Sequence, residues 1–136
     1  MATYKDAPKI YHVAESYYND RGYCSVVALA IAAGIGYGKA FHTFRRLGRR
    51  LGAGTHRHMQ KLALAEFGLK LELHHSYGCR TTKAVGNIAH LLQGTFWVYC
   101  TGHVACIKDG QYYDWAATRN KRNVSIFKVI PIHENT

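Results

Sequence analysis

The chain has 136 residues and a mass of 15.3 kDa, enough for one domain with a real core and too little for two. Hydrophobic residues make up 48% and charged residues 19%, which excludes a disordered or low-complexity protein. Eighteen Lys and Arg against eight Asp and Glu leave a net charge of +10, a field that favours polyanions and acidic surfaces.

The stretch from Met1 to Asp6 carries no apolar signal core, and no window approaches the ~18 uninterrupted apolar residues of a membrane helix. The expectation is a soluble cytoplasmic protein with no membrane partner. Cys24, Cys79, Cys100 and Cys106 are too few for a disulfide framework and read as thiols. The prolines Pro8 and Pro131 lie near the ends, so the middle of the chain has no obvious linker.

In chain order, Cys24 to Ala33 is apolar nearly all round until Gly34 and Gly36 stop it, the pattern of a buried helix. From Gly38 to Leu51, Phe41, Phe44, Leu47 and Leu51 recur at helical spacing, with Lys39, His42, Arg45, Arg46, Arg49 and Arg50 on a basic outer face. A third helix is expected after Thr55 as N-cap, with Met59, Leu62, Ala63 and Phe67 inward and Gly68 as its end. Leu69 to His74 alternates with period two, as a half-buried strand does, and Thr82 to Leu92 places Val85, Ile88 and Leu92 on one helical face. Four segments rich in β-branched and aromatic residues follow: Phe96 to Cys100, Val104 to Ile107, Tyr112 to Trp115 and Val124 to Ile130. Helices first and strands later imply an α+β domain whose helices pack on an antiparallel sheet.

Asp109-Gly110 favours a two-residue type I′ turn, and such a turn fixes register. Ile107 then faces Tyr112, Ala105 faces Asp114 and His103 faces Ala116. His103 and Asp114 become diagonal neighbours on one face, with backbones roughly 7–8 Å apart, within reach of an imidazole–carboxylate hydrogen bond. An acid holding an imidazole is half of a nucleophilic triad. Cys24, at the first turn of a buried helix behind Gly22, is the candidate nucleophile, because a helix N-terminus and a nearby imidazolium both stabilise a thiolate. Its backbone N–H and the Asn19 side chain just upstream are the candidate oxyanion donors.

Two segments resemble the small papain-like cysteine peptidases, especially the bacteriocin leader-processing branch and the short papain-like proteins of tailed phages. They are Asn19-Asp20-Arg21-Gly22-Tyr23-Cys24-Ser25-Val26-Val27-Ala28-Leu29-Ala30 and the stretch from Gly94 to Trp115, which contains Thr101-Gly102-His103-Val104-Ala105 and Tyr112-Tyr113-Asp114. The chain order of Cys, His and acid agrees with that family, while Gly38 to Ser76 corresponds only to a general helical insert. The resemblance implies a papain-like fold with Cys24 as nucleophile, His103 as base and Asp114 as orienting acid, a polypeptide substrate, no cofactor, and a phage-encoded protein acting in a host cytoplasm. The family places a Gln oxyanion donor upstream of the nucleophile, where this chain has Tyr17 and Tyr18 and, nearest in chemistry, Asn19. Peptidase, transferase, deamidase and inactive homologue all remain open on that departure.

Each residue also has a structural reading: Cys24 as a small buried apolar residue, His103 and Asp114 as a structural pair. Cys100-x-x-His103-x-x-Cys106 invites a zinc reading to which His56, His58, His74, His75 and Cys79 could be recruited, but on an extended chain His103 projects away from the two cysteines. No metal is therefore expected, and Cys100 and Cys106 read as core residues on the sheet face opposite the triad. Arg45, Arg46, Arg49 and Arg50, with Arg57, Lys61, Arg119, Lys121 and Arg122, supply most of the positive excess. They support an alternative, a non-catalytic binding protein whose basic helix meets an acidic host protein or, weakly and without sequence preference, nucleic acid.

Overall fold

The computed structural model describes residues 24–51, 53–74, 80–100, 102–113 and 123–132. Helix α1, Cys24–Ala33, holds eight buried residues from Ser25 to Ala32, and its composition leaves it no polar face to offer solvent. Gly34 (φ 67°) ends it: the Gly34 N–H donates to the Ile31 carbonyl (3.3 Å) and the Ile35 N–H to the Ala30 carbonyl (3.0 Å), the paired bonds of a Schellman cap. The ammonium of Lys108 adds a second donor to the Ile31 carbonyl at 3.0 Å.

Helix α2, Tyr37–Arg46, follows at a bend of 119° and buries Tyr37, Ala40, Phe41, Thr43 and Phe44. It stops five residues short of the expected Leu51, because Gly48 (φ 107°) closes a second Schellman cap, with Gly48 N–H on the Arg45 carbonyl and Arg49 N–H on the Phe44 carbonyl. The turn leaves Leu51 exposed and swings Arg49 inward, where it is 5% exposed and donates from Nε to the Ala53 carbonyl (2.8 Å). Arg49 is therefore not part of the outer face on which the sequence pattern placed it.

Helix α3, Arg57–Ala65, is capped by His56, whose Nδ1 accepts from the Met59 N–H (3.2 Å), and not by Thr55, whose hydroxyl is engaged elsewhere. Its inward face carries Gln60, Ala63 and Leu64, while the expected Leu62 is exposed. Strand β1, Leu69–His74, has the expected bounds. Helix α4, Thr82–Ile88, is capped by the Thr81 hydroxyl and continues as a short 3₁₀ turn over Ala89–Leu91.

Strands β2 (Thr95–Cys100), β3 (His103–Lys108), β4 (Gln111–Tyr113) and β5 (Ser125–Pro131) complete an antiparallel sheet in the order β1-β5-β2-β3-β4. The β3–β4 turn has Asp109 at φ 51° and Gly110 at φ 83°, and Ile107 pairs with Tyr112 as the type I′ register requires. The α+β class is as expected, and the sheet carries helices on both of its faces. Helices α1 to α3 cover one face of the sheet over Trp97, Tyr99, Val104 and Cys106, whereas α4 packs Val85, with Ala89 and Leu92 just beyond it, on the opposite face against Val98, Ala105, Ile107 and Ile126. Burying the sheet on both faces explains why β2 and β3 are buried along nearly their whole length.

Candidate active site

Cys24 is the first residue of α1 and His103 the first residue of β3, immediately after Gly102 (φ 65°). The chain crossing between them brings the His103 imidazole close enough to the Cys24 sulfur for hydrogen bonding and charge to act on it. Cys24 is half-buried and His103 is 7% exposed, so the pair meets largely out of water. The N–H groups of Val104 and Ser25 also point to the sulfur. Burial pushes the Cys24 thiol up, but the hydrogen bond from His103, the positive charge that imidazole can carry and the two backbone N–H groups outweigh it, holding the thiol below the 9.0 of an ordinary cysteine.

The other described cysteines behave as core thiols. Cys106 is fully buried under α1, where burial pushes its thiol up to about 12 against a small opposing effect of Lys108. It faces the helix that carries Cys24, and not the sheet face opposite the site as expected from alternation alone. Cys100, half-buried and directly across from His103, donates its thiol to the His103 carbonyl at 3.4 Å. Among the described residues no three His, Cys, Asp or Glu side chains converge in a metal-binding arrangement.

Of the other expected site residues, Asn19 and Asp114 lie outside the described residues, as do Cys79, Arg119, Lys121 and Arg122. The four arginines of the expected binding face are not equivalent. Arg45 and Arg50 are exposed, Arg46 is paired with Glu66 (Nη1 to Oε1, 2.8 Å), and Arg49 is buried. Beside them an open groove of about 510 Å³ is lined by Lys39, His42, Thr43, Arg46, Glu66 and Phe67.

Neither a protein family, nor a curated protein, nor a solved structure matches this chain. Its site is thus built from geometry alone, and that geometry includes parts the sequence reading missed. Behind Cys24, Ser25 is fully buried, and its Oγ accepts from the Thr55 hydroxyl (2.8 Å), which in turn accepts from Gln60 Nε2 (2.9 Å). Gln60 Oε1 accepts from Trp97 Nε1 (3.1 Å). Next to that chain, Arg57 stacks on the Tyr99 ring at 4.2 Å, and burial raises the Tyr99 phenol to about 12 with Arg57 and, less, the nearby Trp97 indole N–H opposing. The Tyr99 Oη is buried and makes no hydrogen bond, its neighbour Trp97 Nε1 being spent on Gln60. The one sequence signal for this cluster was the unusual density of polar residues, Thr55 to Gln60, beside an otherwise apolar helix pattern. Among the described residues no single helix is long and apolar enough to cross a membrane.

Proposed function

We propose that the protein is a thiol-dependent acyl-transfer enzyme of papain-like architecture, most simply a cysteine peptidase acting on polypeptide. The observation that carries this reading is the contact of Cys24 with His103 across the start of a buried helix, with the thiol held below its ordinary range. In the reaction the Cys24 thiolate attacks the carbonyl carbon and a C–S bond forms while the amide nitrogen leaves with a proton from the His103 imidazolium. His103 then takes a proton from water as that water attacks the thioester, releasing the acid and restoring the thiolate. The helix N-terminus and the N–H groups that face the sulfur supply fixed positive dipoles where negative charge resides. Asp114 as the orienting acid and Asn19 as an oxyanion donor complete the proposal from sequence.

The test is a set of quenched-fluorescent peptides incubated with the protein and with its Cys24→Ser variant, with acyl-enzyme trapped at low pH and weighed by mass spectrometry. Turnover and an acyl adduct on peptide 22–39 of the wild type alone are the expected result. A wild-type Cys24 that alkylates at pH 6 no faster than a free thiol overturns the reading.

A second reading, a non-catalytic papain-like protein binding an acidic host protein or nucleic acid through α2, draws on exposed Lys39, His42, Arg45 and Arg50. The inward turn of Arg49 and the Arg46–Glu66 pair halve the arginine face on which it depended.

A further inference from the structure

Ser25 is the one hydroxyl in α1 and is fully buried, one residue beyond the candidate nucleophile. A buried hydroxyl without partners is costly, so its surroundings are constrained. Here its oxygen is the terminus of a one-way series of hydrogen bonds drawn from three elements. Trp97 in β2 can only donate, and its Nε1 fixes the Gln60 amide with the oxygen toward the indole (3.1 Å). That orientation turns Gln60 Nε2 onto Thr55, where it reaches both Oγ1 (2.9 Å) and the backbone carbonyl (3.3 Å). The Thr55 hydroxyl, which accepts from Gln60, donates its proton to Ser25 Oγ at 2.8 Å. Gln60 is 3% exposed, so water does not compete for these bonds.

The series begins on β2, and β2 pairs directly with β3: Tyr99 with Val104 and Cys100 with His103. The first turn of α1 is thereby fastened to the sheet that carries the candidate base. The Ser25 N–H and the Val104 N–H, both directed at the Cys24 sulfur, belong to the two ends of this frame.

We propose that Gln60 is a positioning residue for Cys24, acting through Thr55 and Ser25 to set the first turn of α1 against His103. This deepens the thiol–imidazole reading and rests on it. Hydrogen bonding between sulfur and imidazole is steep in distance and angle, and small displacements of reacting groups carry large rate penalties. Removal of the Gln60 amide leaves Trp97 Nε1 without its acceptor and Thr55 without the donor that holds it, so that Thr55 and Ser25 are free to shift together.

The experiment measures iodoacetamide alkylation of Cys24 against pH in the full chain, read by mass spectrometry on peptide 22–39, together with the melting temperature. Gln60→Met keeps the side-chain length without polar atoms, and Thr55→Val removes only the hydroxyl. Both are expected to move the alkylation inflection upward and to slow alkylation at pH 6 at least about threefold, the change that one pH unit of movement carries once reduced thiolate fraction is set against greater nucleophilicity. Gln60→Glu accepts from Trp97 but cannot donate to Thr55, so it is expected to behave like Gln60→Met and not like the wild type. Ile126→Val, in the opposite core, lowers the melting temperature without touching the series and is expected to leave the profile in place. Should Gln60→Met fail to fold, Thr55→Val carries the same comparison. A wild-type inflection below 9.0 that both Gln60→Met and Thr55→Val preserve overturns the positioning role alone. A wild-type inflection at or above 9.0 overturns the nucleophile reading and this inference with it.

Discussion

Replacing His103 with Leu removes both the hydrogen bond and the charge that oppose burial at Cys24, while nearly preserving the buried volume. What remains is burial, the largest single influence on this thiol and one that raises it, against the N–H groups of Val104 and Ser25. The inflection of Cys24 alkylation is therefore expected to rise from below 9.0 to the neighbourhood of 9.0 or above. At pH 7 a thiol of ordinary acidity is only about 1% thiolate, so the wild type starts from a larger reactive fraction. Each unit of upward movement cuts that fraction tenfold, but a more basic thiolate is more nucleophilic, with a Brønsted coefficient of about 0.4–0.5, so alkylation at pH 7 slows about three- to fourfold per unit. His103→Gln keeps a hydrogen-bond donor without the charge and is expected to fall between the two profiles. The linkage has a definite sign. A thiol depressed in the folded state stabilises the fold fully above 9.0 and loses that contribution as pH falls through its folded value, so the wild type should gain stability relative to His103→Leu as pH is raised through that window. Superimposable profiles for wild type and His103→Leu would refute the pairing.

Tyr99→Phe deletes a buried hydroxyl that has no hydrogen-bond partner, and is expected to raise the melting temperature by ~3–5 °C, or about 1 kcal/mol. Because the phenol is raised from 10.0 to about 12, its contribution is present below pH 10 and lost as pH climbs to 12; calorimetry should find that loss flattened in the variant, and an unchanged alkaline limb would contradict it. Lys108→Met removes the charge-assisted bond to the Ile31 carbonyl and should cost about 1–2 kcal/mol in urea unfolding, with Lys108→Arg recovering part; equal midpoints for all three would show the cap to be idle. For the basic face, changing exposed Arg45 and Arg50 to Gln should flatten the log–log salt dependence of duplex binding by about 1.8, whereas Arg49→Gln should leave the slope alone and lower stability. A slope insensitive to the double change would remove α2 as a phosphate-binding face.

Cys24 was legible because a cysteine at a helix start is a local feature, and Asp109-Gly110 made the β3–β4 register readable without knowledge of the rest of the fold, whereas the meeting of Cys24 with His103 was expected only from the resemblance in chain order. Strand β1 was equally readable, since alternation with polar residues occurs on a sheet edge. The side of the sheet taken by α4 was not. Val85, Ile88 and Leu92 announce an apolar face but not which of two apolar sheet faces receives it. Arg49 was misplaced because helical periodicity was carried through Gly48, whose left-handed backbone redirects everything after it. Gln60 was passed over because polar residues are assigned to solvent by default, and its justification, Trp97, lies 37 residues away. Asn19 and Asp114 rest on sequence alone.

Helix α1 and strand β3 are joined at both ends, by Cys24 with His103 and by Ile31 with Lys108, and the second of these contacts closes 77 residues of chain. The imidazole that opposes burial at Cys24 therefore comes from a segment far along the chain. During synthesis Cys24 emerges long before His103, and until β3 has docked along α1 the sulfur has neither imidazole nor Val104 N–H beside it and titrates as in any flexible peptide. Docking of distant segments is slow relative to helix formation, since loop-closure entropy must be met before the contacts are gained. The acidity of Cys24 thus reports one tertiary event, the docking of β3 on α1, since before that contact forms the sulfur lacks the His103 imidazole and the Val104 N–H that oppose its burial.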